Sequence, residues 1–99
     1  MLRDHPRTAI AVRATRGDDP AASGIIVMTA GAGSLWSGNV LPAHRGQSIQ
    51  RALIAERVRL GLARGGRAFL SLAEPGGTSA RNLGRSGFRD VGPLRVFTR

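Results

Sequence analysis

The chain has 99 residues and no cysteine, which allows one small domain with a modest core and excludes disulfides, thiolate metal sites and thiol nucleophiles. All 15 basic residues are arginine, and against 6 acidic ones they leave a net charge of +9, which favours anionic partners: nucleic acid or a phosphate-bearing cofactor. A hydrophobic share of 41% argues for a globular chain. His5 and His44 are too far apart for a dedicated metal site. No apolar run of about 18 residues marks a membrane span, and no leader pattern opens the chain. A soluble, cytoplasmic protein is expected.

Residues 1–6 read as a ragged start. Thr8–Arg13 is short, apolar and partly β-branched, a first strand. Gly17-Asp18-Asp19-Pro20 then signals a turn. Gly24–Ala30 is the clearest strand, with glycine at both borders, and Gly31-Ala32-Gly33 joins it tightly to a third strand over Ser34–Leu41, so that three strands form a meander. Gly38 inside the third strand marks a bulge or a close backbone approach, and Pro42 ends the strand.

The spacing predicts a long helix from Gly46 to Ala63, stopped by Gly65-Gly66 with Arg64 in its last turn. Ile49, Leu53 and Leu60 share one stripe, Ile54, Val58 and Leu62 a second lying nearly opposite, and Arg51, Arg57, Arg59 and Arg64 fill the edges between them. A helix apolar on two sides is covered on two sides, the second cover being another helix or another subunit. Ala68–Leu72 is the fourth strand, parallel to its neighbour through a right-handed crossover. Pro75-Gly76-Gly77 breaks the chain, Thr78 or Ser79 caps a short helix ending near Gly87, and Val91–Thr98 closes with a last strand. The class is α/β, in the order βββ-αβ-αβ.

The informative stretch runs from Asn39 to Ile54, where a strand ends, small and polar residues turn the chain, and a helix begins. Free N–H groups and the dipole at such a helix start bind phosphate, and Gly46 and Ser48 let a pyrophosphate approach the backbone. An ordinary strand-to-helix turn reads the same way on these grounds alone.

With its sequence Val40-Leu41-Pro42-Ala43-His44-Arg45-Gly46-Gln47-Ser48-Ile49-Gln50, this turn resembles the hallmark of the GNAT superfamily of acetyl-CoA-dependent N-acetyltransferases, a strand, a proline, an arginine- and glycine-rich turn and a long helix. A second stretch, from Glu74 through Asn82 to Gly87-Phe88, is similar to that family's short helix closing in Gly-Phe before a strand. The resemblance covers roughly Ile25 to Arg99. It implies a mixed, mostly antiparallel sheet with two flanking helices and acetyl-CoA as co-substrate. The backbone of Asn39, Val40 and Leu41 would pair with the pantetheine arm. The amides of Arg45, Gly46, Gln47, Ser48, Ile49 and Gln50 would cradle the pyrophosphate, and Asn82 would contact the cofactor. The chemistry implied is attack of an amine on the thioester, aided by a base and by donors at the oxyanion.

The chain departs from that pattern. Ser48 stands where glycine is usual, and its side chain would crowd the phosphate. Gln50 stands where glycine or alanine is usual, as in a recognised subgroup. Leu83 occupies the place of a tyrosine acid in a chain without tyrosine, and the third strand has no acidic residue. No catalytic acid or base carries over. About two dozen residues precede Gly24, so residues 1–99 are expected to form a single, partial domain, its C-terminal half, completed by a homodimer or partner chain.

Among single residues, His44 reads as a solvated turn residue, Glu56 as an ion-pairing surface group, Trp36 as core and Asp90 as a turn. Glu74 is the least implausible surviving base. Three readings compete: an acetyltransferase of unknown amine acceptor, an inactive CoA-binding or interaction module, and a nucleic-acid-binding protein. Six arginines and one glutamate between Arg45 and Arg67 give the last a local charge of +5, but stacking aromatics are few and no recognition motif is present.

Overall fold

The computed structural model describes residues 7–46, 48–73, 76–92 and 94–98; the expectations for Gln47 and Glu74 lie outside them. Strands β1 (Arg7–Arg16), β2 (Asp19–Thr29) and β3 (Ala32–Val40) form the meander. Helix α1 (Ile49–Ala63), strand β4 (Ala68–Leu72), helix α2 (Thr78–Arg85) and strands β5 (Arg89–Val91) and β6 (Leu94–Thr98) follow. The first two strands are longer than expected, because only Gly17 and Asp18 turn between the paired Arg16 and Asp19. The segment read as one closing strand is a β5–β6 hairpin. Asp90 is therefore a strand residue rather than a turn residue, and it pairs with Arg95 at 2.9 Å.

The six strands make one mixed sheet, in the order β1-β2-β3-β4-β6-β5. All pairings are antiparallel except β3 with β4, whose parallel register spans only Ala32–Ser34 against Ala68–Leu70. Beyond Ser34, β3 stays paired with β2 as far as Ala22↔Val40 and leaves β4 behind. A wedge opens in the middle of the sheet. Along the same stretch the register shifts: between Ile25↔Trp36 and Ser23↔Asn39, β2 advances two residues while β3 advances three. The extra residue is a bulge, and it sits where Gly38 predicted one.

The two stripes of α1 turn out to be the borders of a single buried face. At about 100° per residue, Ile49 and Leu53 lie at one border, Ile54 and Val58 at the other, and Arg57 and Gly61 run down the middle; all six are buried. Arg57 thus belongs to the buried midline, not to the polar edges. No separate second cover is needed, because one broad face meets the sheet and α2 together. Gly61 allows close docking: a Cβ there would lie 2.3 Å from Cε1 of Phe69, and Phe69 is fully buried at the centre of the core with Ile26, Leu35, Ile54, Leu83 and Phe88. A smaller cluster of Ala21, Ala22, Ile49 and Leu53 anchors the first turns of α1.

Both helices pack on one face of the sheet. On the other, among the described residues, large apolar side chains remain in the open, with Trp36 52% and Leu72 63% exposed. Trp36 is therefore not a core residue. Strand alternation turns Leu35 toward α1 and Trp36 the opposite way. No described helix is long and apolar enough to cross a membrane.

Candidate active site

The strand-to-helix turn delivers the residues singled out by sequence to one cleft of about 750 Å³, where Asn39, Val40, Arg45, Gly46, Ser48, Ile49, Gln50 and Asn82 all line the wall. His44 lines it too and is half-buried rather than fully solvated. Leu41 does not line it: its N–H donates to Ala21 O at 2.8 Å and its carbonyl accepts from His44 N at 2.9 Å. Strand alternation turns the amide of Val40 the other way, toward the cleft.

The charge of the cleft is one-sided. Arg45, Arg51, Arg81 and Arg85 line it, and no acidic residue does among those described. Arg45 is folded back, its Nε donating to Val40 O at 3.2 Å. Arg81 is braced by Gly76 O at 2.9 Å and Thr78 Oγ1 at 3.2 Å. Into this cleft α1 opens at Ser48, without a side-chain cap and without an acidic residue in its first turn. A helix start of this kind, surrounded by guanidinium groups, is suited to a polyphosphate. Ser48 holds φ +59, the left-handed region that explains why glycine suits this position.

Gln50 has a structural role that composition did not disclose. Its Nε2 donates to Ser79 Oγ at 3.0 Å, and its Oε1 accepts from Asn82 Nδ2. The side chain ties the first turn of α1 to α2. Ser79 is used in this way, and Thr78 accepts from Arg81, so neither caps the second helix; its cap position is Gly77. Arg81 and Arg85 were not singled out by sequence, although their spacing of four places both beside Asn82 on one side of α2.

A second cavity of about 370 Å³ fills the wedge between β3 and β4 and shares Gly38, Gln50 and Ser79 with the cleft. Leu35, Trp36, Ile54, Leu70, Leu72, Leu83 and Leu94 make it largely apolar, and Ser34, Ser71 and Arg57 contribute polar groups. Arg57 is 3% exposed. Its Nε donates to Leu53 O at 3.2 Å, and its Nη1 donates to Trp36 O at 3.3 Å and Ile25 O at 3.4 Å, where the bulge opens the ladder. Burial without a charged partner pulls its pKa down to about 10.

The remaining basic residues of α1 do not form one stripe. Arg57 is buried, Arg51 faces the cleft, and Arg59 is paired with Glu56, its Nε at 3.0 Å from Oε2. That pair, as expected for Glu56, is exposed, and it holds the carboxylate below its ordinary pKa through the hydrogen bond from Arg59. Among the described residues no cluster of His, Asp and Glu is arranged to hold a metal ion.

No family model matches the sequence, and a search of curated proteins finds no match. The fold has clear counterparts among solved structures. A protein described as a GNAT-family acetyltransferase from Desulfovibrio desulfuricans aligns with 91% of this chain and 68% of its own, with a TM-score of 0.81 and 22% identity. The ribosomal-protein-S18-alanine N-acetyltransferase of Escherichia coli aligns over the same shares, 91% and 68%, with a TM-score of 0.82 and 15% identity. A Bacillus subtilis acetyltransferase in complex with CoA aligns with 80% of this chain and 53% of its own, with a TM-score of 0.74 and 14% identity. The chain has the fold of the GNAT acetyltransferases.

Proposed function

We propose that the chain binds acetyl-CoA, its pyrophosphate at the start of α1 and its pantetheine arm along the end of β3, and that the acetyl group passes to an amine. The observation that carries this reading is the adjacency of two cavities: a cationic cleft at an uncapped helix start, sharing Gly38, Gln50 and Ser79 as wall residues with a mostly apolar cavity in the wedge. A nucleotide end and a thioester end need this pair of environments in sequence. The residues that would hold the phosphates are Arg45, Gly46, Gln47, Ser48, Ile49 and Gln50, with Arg81 and Arg85 opposite. Asn39, Val40 and Leu41 remain the strand residues proposed beside the arm. Of these, the amide of Val40 is the one turned toward the cleft; that of Leu41 is used by Ala21. Asn82 would contact the cofactor through the edge it shares with Gln50.

In the transfer, the amine nitrogen bonds to the thioester carbonyl carbon, the carbon–sulfur bond breaks, the thiolate leaves and the amine gives up a proton. None of the described residues lining either cavity is acidic. His44 lies at the phosphate end. With no carboxylate on the described walls, the acceptor would arrive as a neutral amine or give its proton to water. This absence favours a second reading, a CoA-binding module that does not catalyse transfer.

Calorimetric titration with acetyl-CoA, with mass by light scattering alongside, tests the first reading. Saturable binding at roughly micromolar concentration is expected, with release of free thiol when amines are supplied. Binding without thiol release for any amine would favour the second reading, and no heat from well-folded protein would overturn both.

A further inference from the structure

Arg57 is the most heavily buried charge in the described residues, and none of them is its counterion. The ion pairs there join Arg59 to Glu56 and Arg95 to Asp90; none reaches Arg57. Its three hydrogen bonds all go to backbone carbonyls and engage Nε and Nη1. They fix the plane of the guanidinium but bring no negative charge. The third nitrogen, Nη2, stands at the wall of the wedge cavity beside Gly38, where a Cβ would come within 3.0 Å of it. Arg57 and Gly38 both line that cavity. The rest of the wall is apolar apart from serine hydroxyls and Gln50. At about 370 Å³ the cavity matches a small organic acid or acyl group.

We propose that the wedge cavity is a carboxylate-recognition site, with the Nη2 edge of Arg57 as its receptor, so that one of the two reactants carries a carboxylate near the reacting carbonyl. The proposal rests on the acyl-transfer reading for what enters the cavity. It goes beyond that reading in stating which substrates are preferred. A guanidinium whose plane is fixed presents Nη2 for a charge-assisted hydrogen bond to a carboxylate, stronger than one between neutral groups. A carboxylate there would also offset the desolvation that now lowers the Arg57 pKa. Two sources offer the group. The donor would carry it on the acyl chain, as the monothioester of a dicarboxylic acid does; the acceptor would carry it as an amino acid does.

Trp36 is the chain's one tryptophan and lines this cavity, so its fluorescence reports occupancy without CoA. Titration with succinate is expected to give a saturable change that succinamide does not give. Arg57→Lys should weaken it about tenfold, because a shorter, compact ammonium replaces the oriented Nη2 donor, and Arg57→Gln should abolish it. If the glutamine variant does not fold, the lysine variant and the acid-against-amide comparison still decide. In calorimetry, a donor source predicts succinyl-CoA binding about tenfold tighter than acetyl-CoA. An acceptor source predicts equal donors, but binding of glycine and not glycinamide once acetyl-CoA is bound. In either case Arg57→Gln removes the preference. No response of Trp36 to succinate, with no preference in either calorimetric arm, would overturn the proposal and leave Arg57 a plug for the bulge, even where CoA binds well. A response to succinate in protein that ignores CoA would overturn the acyl-transfer reading alone.

Discussion

A side chain on Gly38 would place its Cβ 3.0 Å from Nη2 of Arg57, and one on Gly24 would lie equally close, 3.0 Å from Cζ. The guanidinium is thus held between two glycines of adjacent strands, at the bulge where β2 and β3 slip register. Ile25 and Trp36 are the last registered pair before the shift, and Arg57 donates to the carbonyls of both. Sheet irregularity, small residues and buried cation form one device.

Gly38→Ala should accordingly displace the guanidinium and weaken its bonds to these carbonyls. A loss of about 1–2 kcal/mol is expected, the cost of under-satisfied buried carbonyls. Urea denaturation of Gly38→Ala, alone and combined with Arg57→Met, checks this. Additive losses would show that the two residues act independently.

Gly61→Ala should be more damaging. The new methyl would lie 2.3 Å from the Phe69 ring and 3.0 Å from Ile26 Cδ1, in a core with no room to give. Overpacking of this kind costs about 1–3 kcal/mol. Trimming the ring with Phe69→Leu in the same chain should recover part of the loss, so that the double variant is more stable than the two single losses add up to.

Ser48→Gly should stabilise the fold, because the residue sits at φ +59. The left-handed conformation costs a non-glycine residue about 1–2 kcal/mol; the freer unfolded chain takes back a part. A gain of about 0.5–1 kcal/mol in thermal or urea unfolding is expected. The same variant tests the phosphate site: tighter acetyl-CoA binding would show that the hydroxymethyl crowds the ligand, and weaker binding that the hydroxyl is used.

Arg81→Ala should weaken acetyl-CoA binding about tenfold, the worth of one charge-assisted contact. The affinity of the native chain should fall with salt more steeply than that of the variant. Equal affinity and equal salt dependence would remove Arg81 from the site.

Alkaline stability offers an independent view of Arg57. Its folded pKa of about 10 lies below that of an arginine in the unfolded chain. Between the two values the unfolded state binds more protons, so stability rises as the pH climbs through about 10 and is flat below. The chain lacks lysine, tyrosine and cysteine, so little else titrates there. Urea midpoints between about pH 9 and 11.5 should rise for the native chain and stay level for Arg57→Met. Bound carboxylate should flatten the native slope.

What could be read from the sequence was local. The turn residues between strands, the Gly65-Gly66 stop, the strand-turn-helix around Asn39–Ile54 and the bulge at Gly38 are set by backbone permissiveness and short-range spacing, and the motif turn brought with it the correct fold. The apolar periodicity of α1 was also visible, but the pattern has two stripes, and spacing alone cannot distinguish two covered faces from one broad face with a cation in its middle. Only the tertiary structure decided that Arg57 is buried, because the reason lies on the strands: glycines at positions 24 and 38, and the carbonyls of Ile25 and Trp36 beside a slip in register. Trp36 went the other way. Its apolar strand reads as core, and its exposure follows from which sheet face the helices cover, a matter of packing rather than composition. Gln50, Ser79 and Asn82 come together across 29 to 32 residues of sequence, through a contact between helices that no local pattern encodes.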